Sequence, residues 1–130
     1  MVNKNNEQLT PLELEIMDVL WETGSSNVQT VQQLLKRELA YTTVQTMLNI
    51  LHRKKKVERI LQERAYFYQP IVSRGQIVKH TVNDLIERLF GGSAENLVMN
   101  LLETKKLTPQ KLAKLNKLIK ESQEKNDGND

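Results

Sequence analysis

The sequence predicts a mainly α-helical protein that carries one small β-hairpin. Three observations predict it. Aliphatic side chains recur every three or four positions over 10–55, β-branched and aromatic side chains dominate 57–69, and helical spacing returns from 73 onward. Three helices followed by a hairpin is the element order of a winged helix-turn-helix domain. We therefore expect this domain at 1–72, a helical region at 73–122 and a disordered tail at 123–130.

The first two helices begin at recognisable caps. Thr10 can cap the first helix, with Pro11 at its first position and Glu13 three residues on, as in a capping box. We expect this helix to end near Gly24, where three polar residues cap a second helix that ends near Leu39. The inward-facing positions of the two helices are Leu12, Ile16, Val19, Leu20, Val28, Val31, Leu34 and Leu35.

A third helix, expected to start at Thr42 or Thr43, leads into the hairpin. Its inward positions are Val44, Met47 or Leu48, and Leu51. The strands are expected at about 57–62 and 65–69, turning at the two residues between them, although no glycine marks this turn.

Three amphipathic helices are predicted beyond Pro70. Ser73, Ser93 and Thr108 supply their caps, and Gly91 with Gly92 ends the first of them. Their apolar stripes exceed what a few dozen residues can bury alone, which favours pairing of two chains; a monomeric helical cap is the alternative. The residues assigned to this dimerisation are Leu85, Leu89, Leu97, Leu101, Leu112, Leu115 and Ile119.

Composition excludes several classes of protein. The chain has no cysteine, which excludes disulfides and thiolate metal sites, and no apolar run long enough to span a membrane. The histidines, His52 and His80, lie in different elements, and no phosphate-binding loop, nucleophile elbow or metal-ligand spacing is present. We therefore expect no enzyme, no cofactor and no metal. The polar N-terminus lacks a signal peptide, so a cytoplasmic location is expected.

Charge and polarity point to nucleic acid. The net charge is only +3, yet six basic residues crowd into 53–64. Short polar side chains on the outer face of the third helix suit base edges in the major groove, and the basic residues suit phosphates. The predicted base-reading residues are Thr42, Thr43, Gln45, Thr46 and Asn49. The predicted phosphate-binding residues are Arg53, Lys54, Lys55, Lys56, Arg59 and Arg64. Two alternatives stay open: a solvated helix end that complements the helix dipole, and a winged helix that contacts protein.

Four stretches resemble the penicillinase-repressor family (BlaI/MecI/CopY) of bacterial winged-helix repressors. They are LTPLELEIMDVLW (9–21), LAYTTVQTMLNIL (39–51), RAYFYQPIVS (64–73) and LFGGSAENLVMNLLE (89–103). The resemblance implies a transcriptional repressor that binds a palindromic operator as a homodimer. It also implies that Thr42, Thr43 and Thr46 lie in the recognition helix, and that Arg64 and Tyr66 contact DNA from the wing.

The chain departs from the family pattern at two positions. Ile50 stands where most members have arginine, and Lys55 stands near a usual glycine. The absence of cysteine excludes the copper-responsive branch, which carries Cys-x-Cys pairs.

In the antibiotic-responsive branch, a sensor-linked protease cuts after an asparagine in the dimerisation region. The resemblance places this cut between Asn100 and Leu101, with leucine in place of the usual phenylalanine; a purely structural role for Leu101 is the alternative. A second class of function is a repressor regulated by a small molecule held between the winged domain and the dimer helices.

Overall fold

The computed structural model describes residues 8–127. The elements are α1 (Pro11–Thr23), α2 (Val28–Leu34), α3 (Tyr41–Arg53), β1 (Val57–Gln62), β2 (Ala65–Pro70), α4 (Arg74–Leu89), α5 (Ala94–Glu103) and α6 (Pro109–Asp127). The strands pair antiparallel, with Val57 opposite Pro70 and Gln62 opposite Ala65. The predicted fold class, a winged helix-turn-helix followed by helices, is confirmed.

Helices α2 and α6 end at residues other than the predicted ones. Helix α2 ends before Leu35, which adopts extended backbone and turns its side chain into the core. The chain divides into two compact units between Thr81 and Val82, inside α4. Helix α6 continues to Asp127, so 123–127 are helical where a disordered tail was predicted. The rest of that predicted tail lies outside the described residues.

The predicted capping box starts α1. The Thr10 hydroxyl accepts a hydrogen bond from the Glu13 amide at 3.2 Å, and the Thr10 amide donates to Glu13 Oε1 at 2.8 Å. Two amide groups that the first helical turn leaves without backbone partners are thereby satisfied.

The core of the N-terminal unit joins its three helices to the hairpin. Its buried apolar residues are Ile16, Met17, Val19, Leu20, Val28, Val31, Leu35, Val44, Leu48, Leu51, Val57 and Tyr68. Tyr68 of β2 is 1% exposed, and its backbone exchanges two hydrogen bonds with Ser26, at 2.8 and 3.0 Å. The connection between α1 and α2 is therefore bridged to the edge of the hairpin.

The exit of the hairpin is tied back to α1. Trp21 lies against the core and donates a hydrogen bond from Nε1 to the Val72 carbonyl at 2.9 Å. The Arg74 guanidinium lies over the same indole ring, and it also pairs with Asp18 at 2.8 Å. The end of β2 and the residues that follow it are thus attached to the helical part of the N-terminal unit.

In the C-terminal unit the helices keep much apolar surface exposed. Helices α4 and α5 contain no fully buried residue. Leu89 is 72% exposed, and Leu115, Leu118 and Ile119 of α6 are about half exposed. Of the residues assigned to dimerisation, Leu97, Leu101 and Leu112 are partly buried. None of the helices within 8–127 is long and apolar enough to cross a membrane.

Two turns of the N-terminal unit use left-handed backbone without glycine. Lys55 has φ 62° and closes α3 with two hydrogen bonds, from the Lys55 amide to the His52 carbonyl and from the Lys56 amide to the Leu51 carbonyl. This pattern is a Schellman motif, which usually carries glycine at this position. The hairpin turns at Glu63 and Arg64, as predicted, and both have positive φ.

Replacing Lys55 by glycine should stabilise the protein. A left-handed conformation costs an L residue about 1–2 kcal/mol. Glycine avoids this cost, but part of the gain is offset because glycine has more conformational freedom in the unfolded chain. We expect Lys55→Gly to raise the free energy of unfolding by about 0.5–1 kcal/mol in urea titrations. Lys56→Gly removes the same charge where φ is not positive, so it should lower that free energy. Equal effects of the two changes would contradict this explanation.

Candidate nucleic-acid interface

The outer face of α3 presents a continuous polar surface. Val44, Leu48 and Leu51 are buried on its inner face. The predicted base-reading residues Thr42, Thr43, Gln45 and Thr46 are all exposed, and Asn49 is partly exposed. Tyr41, the first residue of the helix, is 48% exposed beside them and was not among the predicted residues. Its position directly before the threonines was the signal that could have found it.

The hairpin adds basic and aromatic side chains to this surface. Arg64 is exposed at the turn and Tyr66 is half exposed on β2. The Arg59 guanidinium lies over the Tyr66 ring, 4.7 Å from its centroid, as a cation–π pair. Arg59 also donates from Nη1 to Asn49 Oδ1 of α3 at 3.4 Å.

A groove of about 260 Å³ lies between α3 and the hairpin. It brings the predicted residues Gln45, Arg64 and Tyr66 together with Tyr41 and with Gln29 of α2, neither of which was predicted. The remaining lining residues are Asn27, Val28, Ala65 and Tyr68. The lining contains hydroxyls, amides and one guanidinium but no carboxylate, so it suits an anionic partner.

A second groove of the N-terminal unit has the opposite character. It measures about 340 Å³ and is lined by Glu15, Asp18 and Glu22, along with Val19, Leu34, Leu35, Lys36 and Arg74. Two of the carboxylates are paired within the fold, Glu15 with Arg37 and Asp18 with Arg74, each at 2.8 Å. Because the carboxylates would repel phosphate, this groove is a poor surface for nucleic acid.

The family model described as penicillinase repressor matches residues 9–121. The chain belongs to the penicillinase repressor family. It is therefore a DNA-binding transcriptional repressor, of a class of proteins that are not enzymes. The resemblance seen in the sequence is confirmed.

Two relatives and one solved structure show the extent of the similarity. The penicillinase repressor of Staphylococcus aureus is 24% identical over 127 residues, which cover 96% of this chain and all of the relative. The transcriptional regulator BlaI of Mycobacterium tuberculosis is 35% identical over 100 residues, covering 74% of this chain and 72% of the relative. The solution structure of the DNA-binding domain of the repressor BlaI is 29% identical, covers 54% of this chain and 88% of its own, and has a TM-score of 0.49.

In this member of the penicillinase repressor family, the basic residues at the end of α3 differ in how far their side chains are exposed. Arg53 and Lys55 are exposed and Lys56 is partly exposed. The side chain of Lys54 is only 17% exposed, and its ammonium lies 2.9 Å from Glu13 Oε1 and 3.1 Å from the Gln8 carbonyl oxygen. The ammonium predicted to hold a phosphate is therefore engaged inside the N-terminal unit.

The Lys54–Glu13 pair ties the end of α3 to the start of α1. Glu13 is 1% exposed. Burial acts to raise the pKa of its carboxyl, but hydrogen bonds from Thr10 and Lys54, with the lysine charge, outweigh burial and lower the pKa below its usual value. The carboxylate is thus ionised and paired at neutral pH. Because the partners are 41 positions apart, no local pattern could have indicated the pair.

Removing the charge of Lys54 should affect stability, whereas removing the charge of the adjacent Arg53 should affect DNA binding. Lys54→Met leaves the Glu13 carboxylate buried without its partner, so we expect the free energy of unfolding in urea to fall by about 3 kcal/mol. Arg53→Met removes the same charge from the exposed surface and should leave stability within about 0.5 kcal/mol of the original. It should instead lower DNA affinity and reduce the salt slope by about one unit. An unchanged stability in Lys54→Met would contradict a structural role for this lysine.

Proposed function

We propose that this repressor binds a palindromic operator as a homodimer, with α3 of each chain in the major groove and each hairpin beside it. The observation that carries the proposal is the exposed polar face of α3 next to a carboxylate-free groove that contains Arg64. Family membership supports it independently.

The chemistry of the exposed α3 face supports base reading. Threonine methyls can contact thymine methyls, threonine hydroxyls can donate or accept, and a glutamine can pair with the N6 and N7 edge of adenine. Thr42, Thr43, Gln45 and Thr46 supply these groups within the first two turns of α3, and the front of a recognition helix is the part that reaches base edges.

Phosphate binding is assigned to the exposed cations and hydroxyls around that face. Arg53, Lys55 and Lys56 lie at the end of α3, while Arg59, Arg64 and Tyr66 lie in the hairpin. Guanidinium and ammonium groups pair with phosphate oxygens, and a tyrosine hydroxyl can donate to them. The engaged ammonium of Lys54 is left out of this set.

Dimerisation through the C-terminal unit is supported by its exposed apolar surface. Leu85, Leu89, Leu115 and Ile119 are all exposed, and α4 and α5 bury no residue fully. Apolar stripes of this kind bury themselves against another helix surface, and a second copy of the chain provides an identical one. A two-fold protein dimer in turn matches a palindromic operator.

We further propose that a sensor-linked protease inactivates the repressor between Asn100 and Leu101. Asn100 is exposed on α5, which supports access to this position. The Asn100 carbonyl accepts hydrogen bonds from the amide and the hydroxyl of Thr104, both at 2.9 Å. The last turn of α5 therefore has to open locally before a protease can hold this bond in an extended conformation.

The small-molecule alternative receives no support from the groove lined by Glu15 and Asp18. Two of its carboxylates already pair with cations of the fold, Glu15 with Arg37 and Asp18 with Arg74, so a ligand that binds these carboxylates would have to displace the pairs. DNA remains the partner that the exposed groups fit.

Selection of bound duplexes from a random library, at two salt concentrations, tests operator recognition. We expect a two-fold symmetric motif that persists at the higher salt. Thr46→Ala should then relax the preference at one position in each half-site, since one contact costs about 1–3 kcal/mol of discrimination. Thr81→Ala makes the same chemical change on α4 and should select the original motif. Binding without any enriched motif would refute sequence-specific recognition.

Sedimentation velocity at micromolar concentration tests dimerisation. We expect the unaltered protein to sediment with the mass of two chains. Leu89→Lys should sediment as one chain, because the interface would bury an unpaired charge. Asn83→Lys adds the same charge at an exposed polar position of α4 and should stay dimeric, whereas a chain ending at Asn100 should be monomeric. A single-chain mass for the unaltered protein would contradict the homodimer.

A further inference from the structure

A chain of polar contacts runs from the middle of α3 across both strands of the hairpin. Asn49 Oδ1 accepts hydrogen bonds from the Tyr68 hydroxyl at 3.1 Å and from Arg59 Nη1 at 3.4 Å. The Arg59 guanidinium in turn lies over the Tyr66 ring. We call these four residues, Asn49, Arg59, Tyr66 and Tyr68, the helix–wing joint.

The contacts of the joint occupy the side-chain oxygen that Asn49 would need to read a base. Asparagine reads adenine by accepting from N6 with its carbonyl oxygen while donating to N7 with its amide group. In this structure that carbonyl oxygen already accepts from Tyr68 and Arg59. Two hydrogen bonds within the protein thus compete directly with the paired base contact predicted for Asn49.

One end of the joint is anchored rigidly. The Tyr68 side chain is 1% exposed in the core, and its backbone is held by the Ser26 bridge. The Tyr68 hydroxyl is therefore a fixed donor, and a hydrogen bond to it holds Asn49 in one orientation.

The other end of the joint lies where the hairpin has little else to hold it. Only Val57 of β1 is buried, and the five residues that follow, up to Gln62, are exposed. Without core packing, an exposed two-stranded hairpin is marginally stable. The contacts from Asn49 through Arg59 to Tyr66 therefore link this outer part of the hairpin to α3.

We propose that Asn49 is a positioning residue that sets the angle between the recognition helix and the hairpin, and that it does not read a base. This inference rests on the proposed function, in which α3 and the hairpin contact one operator half-site together. The joint then keeps Arg64 and Tyr66 at the distance from α3 that the DNA backbone requires.

A double-mutant cycle on operator binding tests the joint. Asn49→Ala and Tyr68→Phe each remove one side of the same hydrogen bond, and Tyr68→Phe keeps the buried ring. We expect each to lower affinity for the selected operator about two- to tenfold, as for loss of one hydrogen bond. The double variant should bind about as weakly as the weaker single variant, because both changes break one interaction.

The base preferences of the two single variants show whether Asn49 positions the hairpin or reads a base. In the joint account, both single variants keep the original motif and lose backbone protection at the flank contacted by the hairpin. A changed preference at one base pair in Asn49→Ala, with Tyr68→Phe binding normally, would overturn the proposal. Independent, multiplicative losses in the double variant would overturn it as well.

A DNA-free measurement keeps the joint testable if no operator is found. Amide hydrogen exchange within 60–62 should be faster in both Asn49→Ala and Tyr68→Phe than in the unaltered protein. Gln45→Ala, an exposed change on the same helix, should leave it unchanged. Unaltered exchange in the two joint variants would overturn the inference, whereas a missing operator motif refutes only the proposed function.

Discussion

The N-terminal unit depends on the placement of one residue, Tyr68. Its ring fills the core, its backbone pairs with Ser26 between α1 and α2, and its hydroxyl donates to Asn49 on α3. The first of the two hydrogen-bonded partners lies in the connection that leads into α2 and the second in α3, so one residue attaches the hairpin to two separate parts of the helical domain. A two-stranded hairpin is weak alone. Its attachment at Tyr68 makes it a defined partner surface for α3.

The distribution of charge on the surface depends on the fold and cannot be inferred from the net charge. The chain carries only +3 overall, yet its N-terminal unit separates a groove of carboxylates from a groove of hydroxyls, amides and Arg64. Lys54 shows that a basic run is not uniformly a basic surface, since its ammonium neutralises the buried Glu13. In the proposed interface only the exposed cations are free to pair with phosphates, so burial separates them from Lys54.

Local signals allowed the element order and the exposed polar face of α3 to be predicted. The Thr10 cap, the apolar spacing of α3 and the β-branched run after Val57 each depend on near neighbours in the chain. The Glu13–Lys54 pair, the Ser26–Tyr68 bridge and the Asn49–Tyr68 hydrogen bond join residues distant in sequence, and no periodicity encodes them. The early end of α2 could not be predicted for the same reason. Leu35 has extended backbone and packs into a core that is formed largely by residues of other elements.

Titration of the isotopically labelled protein with operator duplex, followed by backbone amide chemical shifts, tests the central claim most directly. In the proposed complex, the exposed front of α3 and the hairpin turn form the DNA-contacting surface. We expect the largest shifts at residues 41–46, at the exposed basic end of α3 and at 64–66. Shifts confined to the carboxylate groove around Glu15 and Asp18, with α3 and the hairpin unperturbed, would contradict it.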